Sequence, residues 1–311
     1  MTDNGVLLMT YGSPASLDRS DIAEYLGRVR GGREAEPDLV DEFTRRYRVI
    51  GGSPLIDITT RQAARLEDIL EWPVALGMRF SEPSIEVGLS SLRARGVRRV
   101  AAIVLSPQFS PLLMGGYERA ITTAVSALET DTPAVTVAGA WHLESAFIDA
   151  LARRVRDGLA TLGDDGSVPV LFTAHSLPRR VADREPEYLD ELRETATLVA
   201  ARAGLSDTRW RFCWQSAGHE PGEWMTPDFA DLMPLLAREG RRSVLVAPVQ
   251  FLADHLETLY DVDVGAREQA EAAGLAFARI ESLNDDPGFI AALASVAVRT
   301  LENVGSPVAF A

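Results

Sequence analysis

Cysteine is almost missing from this chain, with one residue, Cys213, in 311. A single thiol excludes an intramolecular disulfide and any metal or cluster site that needs several thiolates from one chain. Histidine is scarce too, at four residues, and no CxxC or HExxH spacing occurs, which removes the usual closed zinc sites. No apolar run approaches the roughly 20 residues needed to cross a bilayer. The opening MTDNGVLLMTYG has an acidic residue where a signal peptide is basic, and its apolar run is too short for an h-region. The cytoplasm is therefore the expected compartment. Positive charge is in deficit: 31 Lys and Arg against 45 Asp and Glu give a net charge of −14, which argues against a nucleic-acid partner that would need a broad basic face. Also absent are GxGxxG after a strand, GxxxxGK[ST] and GxSxG, so nucleotide and acyl-transfer chemistries lose their usual support.

What is present is the composition of an ordinary folded protein, 46% apolar and 24% charged, and a length suited to two domains of about 150 residues. Short β-rich runs (GVLLMTY, PVALGMR, RRVAAIVLSPQ, AVTVAGA, then PVLFTAH, RWRFCWQS, RSVLVAPVQ, LAFARIES) alternate with amphipathic stretches such as DEFTRRYRVI and SAFIDALARRVRDGLATLG. Strand and helix in alternation predict an α/β fold with parallel sheets and crossover helices. Four strands fall in each half.

The halves echo each other. VLLMTYGSP aligns with VLFTAHSLP and sets Tyr11 opposite His175, 164 residues later. RRVAAIVLSPQF aligns with RRSVLVAPVQF, and FIDALA with FIAALA, both 142 residues apart. A duplicated four-stranded unit is predicted, with domains at 1–140 and 141–311, the last helix being free to pack back on the first half. Because the offset shrinks after the first strand, the first half carries an insertion, placed at about 28–57. Its arginines, tyrosines and glycines read either as a lip that grips carboxylates or as a solvated helical hairpin.

Ligands of open parallel sheets bind beyond the carboxyl ends of the strands. Tyr11 and His175 occupy that position on equivalent strands, which predicts that both face an interdomain cleft; a histidine that merely closes a strand end is the alternative. A second candidate is LADHLETLYDVDVG, read as a helix from about Asp254. Glu257 and Asp261 are four apart and share one helical face, where they can hold a hard divalent cation. Asp254 and Glu257 also form an acidic capping-box pattern, and that reading stays open, as does a ligand or structural role for His255.

The chain resembles the ferrochelatases through LLMTYGSP, RYRVIGGSPL, VALGMRFSEPSI, LSPQFS, TAHSLP, WQSAGHEPGEWMTPD, DHLETLYDVD and SLNDDPGFI, in family order over essentially its whole length. Its MTYGSP start and compact length are most similar to the coproporphyrin ferrochelatases of Gram-positive bacteria. The resemblance implies two Rossmann-like, chelatase-type domains and insertion of ferrous iron into a porphyrin, most simply coproporphyrin III to give coproheme, in haem biosynthesis. It places the catalytic pair at His175 and Glu257, with metal contacts from His175, Glu257 and Asp261. Tyr11 falls where the family sets a tyrosine against the metal side of the ring, and Arg30, Arg46, Tyr47 and Ser53 fall on propionate contacts. The wider cluster of Arg28, Arg30, Arg33, Arg45 and Arg46 suits the four carboxylates of coproporphyrin.

Iron is then a substrate, no resident cofactor is expected, and a four-cysteine [2Fe-2S] cluster is excluded by the single cysteine. The expected partners are the porphyrin, ferrous iron and a transient haem-accepting enzyme, with transient membrane association left open, and a monomer is expected. Two departures stand out: Gly265 replaces an acidic residue one turn beyond Asp261, with Asp263 or Glu268 as candidate substitutes, and IGGSPL is one residue short, which bears on Ser53. The alternatives are a protoporphyrin IX ferrochelatase, a chelatase for another tetrapyrrole or for cobalt, and a non-catalytic tetrapyrrole or haem binder.

Overall fold

A parallel strand covered on both faces must be apolar along its whole length, and two segments satisfy this most completely: β1 (Asn4–Thr10) and β5 (Val170–His175), each buried through its middle. The computed structural model describes residues 3–128, 130–218 and 222–302. Residues up to Glu144 and from Asn284 onward form one unit, and Ser145–Leu283 forms the other.

In the first unit β1 is followed by the helices α1 (Arg19–Val29), α2 (Pro37–Val49) and α3 (Leu55–Leu70), then β2 (Val74–Met78), α4 (Ile85–Ala94), β3 (Arg99–Val104), α5 (Pro111–Ala127) and β4 (Ala134–Val137). All pairings are parallel in the order β2-β1-β3-β4, with Val6 opposite both Val74 and Ala101. Local chemistry starts the helices: Ser84 and Ser110 accept from Val87 and Leu113 N–H groups as N-caps, and Pro111 opens α5. The stretch expected as an insertion, 28–57, holds the end of α1, all of α2 and the first residues of α3.

The second unit opens with α6 (Ser145–Thr161), then has β5, α7 (Arg179–Ala182), α8 (Pro186–Ala203), β6 (Trp210–Gln215), α9 (Phe229–Arg238), β7 (Ser243–Pro248), a π-helix at Glu257–Ala266, α10 (Arg267–Ala272) and β8 (Ala276–Arg279). Its strand order, β6-β5-β7-β8, again wholly parallel, repeats that of the first unit. The two sheets are the predicted duplicated, Rossmann-like units.

The helix α11 (Pro287–Glu302) follows β8 in the chain but packs on α3 and β3, so it belongs to the first unit. Its apolar side, including Phe289, Ile290, Leu293 and Val296, is fully buried, and Phe289 stacks on Trp141 at 6.3 Å. Gln62 of α3 donates to the Asn284 carbonyl at 2.6 Å and Arg65 pairs with Asp285 at 2.8 Å. The equivalent helix α6 packs on α8 and β7 in the second unit. Boundaries expected at 140 and 311 thus fall at Glu144 and Leu283, because each sheet takes its covering helix from the chain segment that follows the other.

Burial of Phe289 predicts that Phe289→Ala costs about 3–5 kcal/mol, read from urea unfolding followed by tryptophan fluorescence. A cost below about 1 kcal/mol, well under that of a buried aromatic, would remove α11 from the core of the first unit.

Candidate active site

Each sheet has one topological switch point, β1 between β2 and β3 and β5 between β6 and β7, where α/β folds open a ligand crevice. His175 is the last residue of β5 and sits at that point. Its backbone N–H donates to Gln250 Oε1 at 2.8 Å, while Gln250 Nε2 donates to the buried Tyr188 hydroxyl at 2.5 Å. The next residue, Ser176, donates its N–H to the Gln215 carbonyl at 2.7 Å. The histidine therefore stands on a fixed platform of β5, β6 and α8.

Its tautomer follows from its neighbours. Nδ1 lies 2.5 Å from the Ser176 carbonyl oxygen, which can only accept, so Nδ1 carries the hydrogen and the neutral ring has its lone pair at Nε2. Nε2 faces Glu257 Oε2 at 3.6 Å. That is too long for a hydrogen bond, yet it is a separation that two metal–ligand bonds of about 2.1 Å can bridge. Both side chains are about one-third exposed, but Glu257 Oε2 itself is buried and has no hydrogen-bond partner among the described residues. A buried, unsatisfied carboxylate oxygen is costly to keep, which makes it a candidate functional atom. The nearby Tyr188 phenol is pushed up by burial and by the charges of Glu185 and Glu257, and so stays protonated.

Glu257 is carried by the π-helix rather than by the α-helix expected there. Arg267 N–H reaches the Val262 carbonyl five residues back, the wider ring that defines this geometry. The capping-box reading is corrected: the helix start has no side-chain cap, and Asp254 Oδ1 instead accepts from Ser282 Oγ at 2.7 Å and pairs with Arg279 at 3.1 Å. His255 is held by its own segment, with Nδ1 2.9 Å from the Ala253 carbonyl and its ring 4.8 Å from Phe251. Asp261, four residues after Glu257, is half-buried. Among the described residues no three His, Cys, Asp or Glu side chains gather into a chelating set. Asp263, one of the candidate substitutes near Gly265, is engaged by Arg279 at 2.8 Å.

In the first unit, Tyr11 follows β1 at the equivalent switch point, with its ring 4.9 Å from Phe80. Gly12 makes the turn that presents it: φ is +90°, and a Cβ there would run into the Ser81 hydroxyl. Arg79 sits over three aromatic rings, 4.7 Å from Phe80, 5.3 Å from Tyr117 and 5.8 Å from Tyr11. A Cβ at Gly116 would overlap its guanidinium. Arg79 and Gly116 were not singled out in the sequence; the signal was an arginine directly after a buried strand.

The arginines of α1 and α2 differ in how far they are already paired. Arg45 and Arg46 both donate to Glu42, at 2.9 and 2.8 Å, and Arg28 pairs with Glu24. Arg30 caps α1, and its buried Nε has no partner among the described residues. Tyr47 is buried, and Ser53 Oγ accepts weakly from Leu55 N–H at 3.4 Å, at the start of α3.

A family model described as Ferrochelatase matches residues 3–301. The chain belongs to the ferrochelatase family. It is 38% identical over 310 residues to a ferrochelatase of Deinococcus radiodurans, covering 96% of each chain. It is 35% identical to a coproporphyrin III ferrochelatase of Geobacillus sp. strain WCH70, over 96% of this chain and 98% of that one. The coproporphyrin III ferrochelatase of Bacillus subtilis is 33% identical, over 96% and 97%. Among solved structures the chain is similar to SirB from Bacillus subtilis with Fe3+, at a TM-score of 0.61 with 11% identity over 97% of each chain. It is also similar to CbiX, described as the terminal enzyme for biosynthesis of siroheme in denitrifying bacteria, at 0.54 with 13% identity over 97% and 100%. At those identities the likeness is one of fold, the two-sheet chelatase architecture. Of the family motif Trp214–Asp228, residues 219–221 lie outside the described set.

Glu42 gives this region a pH signature. Hydrogen bonds from Arg45 and then Arg46 hold its carboxyl down to about 2 from 4.5. Since the folded value lies below the unfolded one, its contribution to stability is complete above 4.5 and is lost as pH falls through about 2. Urea unfolding should show Glu42→Gln less stable than the unaltered protein at neutral pH, the gap closing between those two values. A gap independent of pH would show that these pairs contribute nothing.

Proposed function

We propose that the protein inserts ferrous iron into coproporphyrin III, giving coproheme, in haem biosynthesis. The observation that carries this reading is the pair at the second switch point: a histidine with its lone pair at Nε2, facing a buried carboxylate oxygen without a partner. Metallation replaces two pyrrole N–H protons with one Fe2+, so two protons must be accepted and a hydrated dication stripped of water. Once the iron has left it for the ring, His175 Nε2 accepts one pyrrole proton, Nδ1–H remaining on the Ser176 carbonyl and Glu257 stabilising the imidazolium beside it, while the second proton passes to solvent water at this one-third-exposed site. The same two atoms offer the dication an N and an O donor before it enters the ring. Asp261, further along the π-helix, is assigned to the approach of iron, and Tyr11 to the ring surface.

Substrate choice is assigned to the lip. Six of the relatives' names specify coproporphyrin III, and the arginines of α1 and α2, with Tyr47 and Ser53, supply donors for four propionates. The arginines do not contribute equally, because Arg46 must exchange the Glu42 carboxylate for a propionate whereas Arg30 Nε has no bond to give up.

No resident cofactor is proposed. Cys213 is buried, and burial pushes its thiol up, away from the thiolate that would ligate a metal. Among the described residues no helix is long and apolar enough to cross a membrane. A cytoplasmic monomer that hands its product transiently to a haem-accepting enzyme completes the proposal.

The deciding experiment is anaerobic metallation, followed by loss of porphyrin fluorescence, with Fe2+ and either coproporphyrin III or protoporphyrin IX. Turnover of coproporphyrin III supports the reading, preference for protoporphyrin IX reassigns the lip, and tight binding without metallation favours a haem-handling protein. His175→Ala should cut turnover by about 10²–10⁴-fold with the porphyrin still bound; turnover like that of the unaltered protein would remove His175 from the mechanism. Arg30→Ala should raise the KM for coproporphyrin about tenfold, equivalent to about 1.4 kcal/mol, and by more than Arg46→Ala does. Equal KM values in both variants and the parent would make the lip assignment wrong.

A further inference from the structure

The π-helix that carries Glu257 is an unusual element to build over ten residues, since such wide turns occur mostly as single bulges. Its support comes from one residue outside it, at the end of β8. The Arg279 side chain is about 10% exposed, and its guanidinium makes four hydrogen bonds besides an ion pair with Asp254. Nε and Nη2 grip Asp263 at 2.8 Å each, and Nη2 also reaches Asp254 at 3.1 Å. Nη1 donates to the Ile280 carbonyl at 3.1 Å and to Ser282 Oγ at 2.9 Å, while that hydroxyl donates onward to Asp254 at 2.7 Å.

Asp254 lies three residues before Glu257, and Asp263 lies two after Asp261. One guanidinium thus holds both ends of the segment that bears the two carboxylates assigned to iron, and anchors it to the strand next to β7. We infer that Arg279 is a positioning residue for metallation, fixing the register of the π-helix so that Glu257 Oε2 faces His175 Nε2. The inference rests on the proposed roles of His175 and Glu257. Lysine cannot replace it, because an ammonium is a point charge without the planar fork that spans two carboxylates and a hydroxyl.

Two variants and two readouts test this. Arg279→Lys is expected to leave the KM for porphyrin unchanged, to lower kcat by about 10–100-fold, the range for residues that orient a metal's ligands, and to speed amide hydrogen exchange across 257–266. The triple variant Arg279→Gln, Asp254→Asn, Asp263→Asn removes the buried charges together. It should recover melting temperature relative to Arg279→Gln alone while kcat stays low and exchange stays fast. Parent-like kcat and exchange in Arg279→Lys would overturn the inference, as would a triple variant that recovers all three properties. If Arg279→Lys does not fold, the triple variant decides by the same readouts. Should the parent fail to metallate, the functional reading falls by itself, and unchanged exchange in the variants would still overturn the clamp.

Discussion

The arrangement of this molecule follows from the complete burial of its two central strands. Val6–Met9 and Val170–Phe172 have no solvent exposure, so along β1 and β5 a polar side chain that needs water or a ligand can stand only where the ladder ends. Thr173, the polar residue inside β5, shows the rule by exception: it is fully buried and its hydroxyl is taken up by Gln215 at 2.5 Å. Burial ends at the half-buried Thr10, with Tyr11 after it, on β1 and at His175 on β5. Parallel pairing on both sides then fixes where those ends lie, because a one-residue slip would exchange every side chain between the two differently packed faces.

A rigid strand end places the histidine, but its partner is placed by different means. Glu257 follows no strand directly; it rides on a π-helix whose geometry is held from β8 through Arg279. The pair therefore joins one side chain fixed by a sheet to one fixed by an ion-pair network. The cost of leaving Glu257 Oε2 buried without a donor is tolerable only if the segment cannot rotate to satisfy it elsewhere. Asp254 and Asp263, both bound to Arg279, supply that restraint. They are also carboxylates withdrawn from competition for a cation.

The sheets were legible in the sequence because their signal is local and repeated: eight β-rich runs, equivalent motifs in the two halves and a single drop in offset that pointed to 28–57, the stretch that holds α2. His175 and Tyr11 were legible for the same reason, as residues at equivalent positions where the two matching buried runs end. The π-helix was not, since Glu257 and Asp261 have the spacing of an ordinary α-helical face and nothing in LETLYDVDVG marks a wider turn. Arg279 was hidden because its partners lie 16 and 25 residues earlier and are brought to it by packing. Arg79 depends on contacts of the same kind with Phe80 and Tyr117, and on space left by Gly116. Capping by Asp254 was a sound local inference that a buried guanidinium overrode, a tertiary interaction outweighing one worth about 1 kcal/mol.

The donor set also fits the demand placed on it. A resident structural ion is held by a closed shell of about four protein ligands and contributes to folding free energy, whereas an ion in transit must be bound well enough to lose water and loosely enough to leave. His175 and Glu257 present one nitrogen and one oxygen 3.6 Å apart on side chains about one-third exposed, and no third donor closes the set among the described residues. Two donors leave most of the coordination sphere to water, which ring nitrogens can then replace one at a time. The buried Cys213 fits the same logic: a softer, tighter ligand near this site would compete with the ring for iron, and the one thiol of the chain is instead sealed in the core. With His175 and Glu257 in the roles proposed for them, iron is met by ligands weaker than its destination, which is the condition for transfer to run forward.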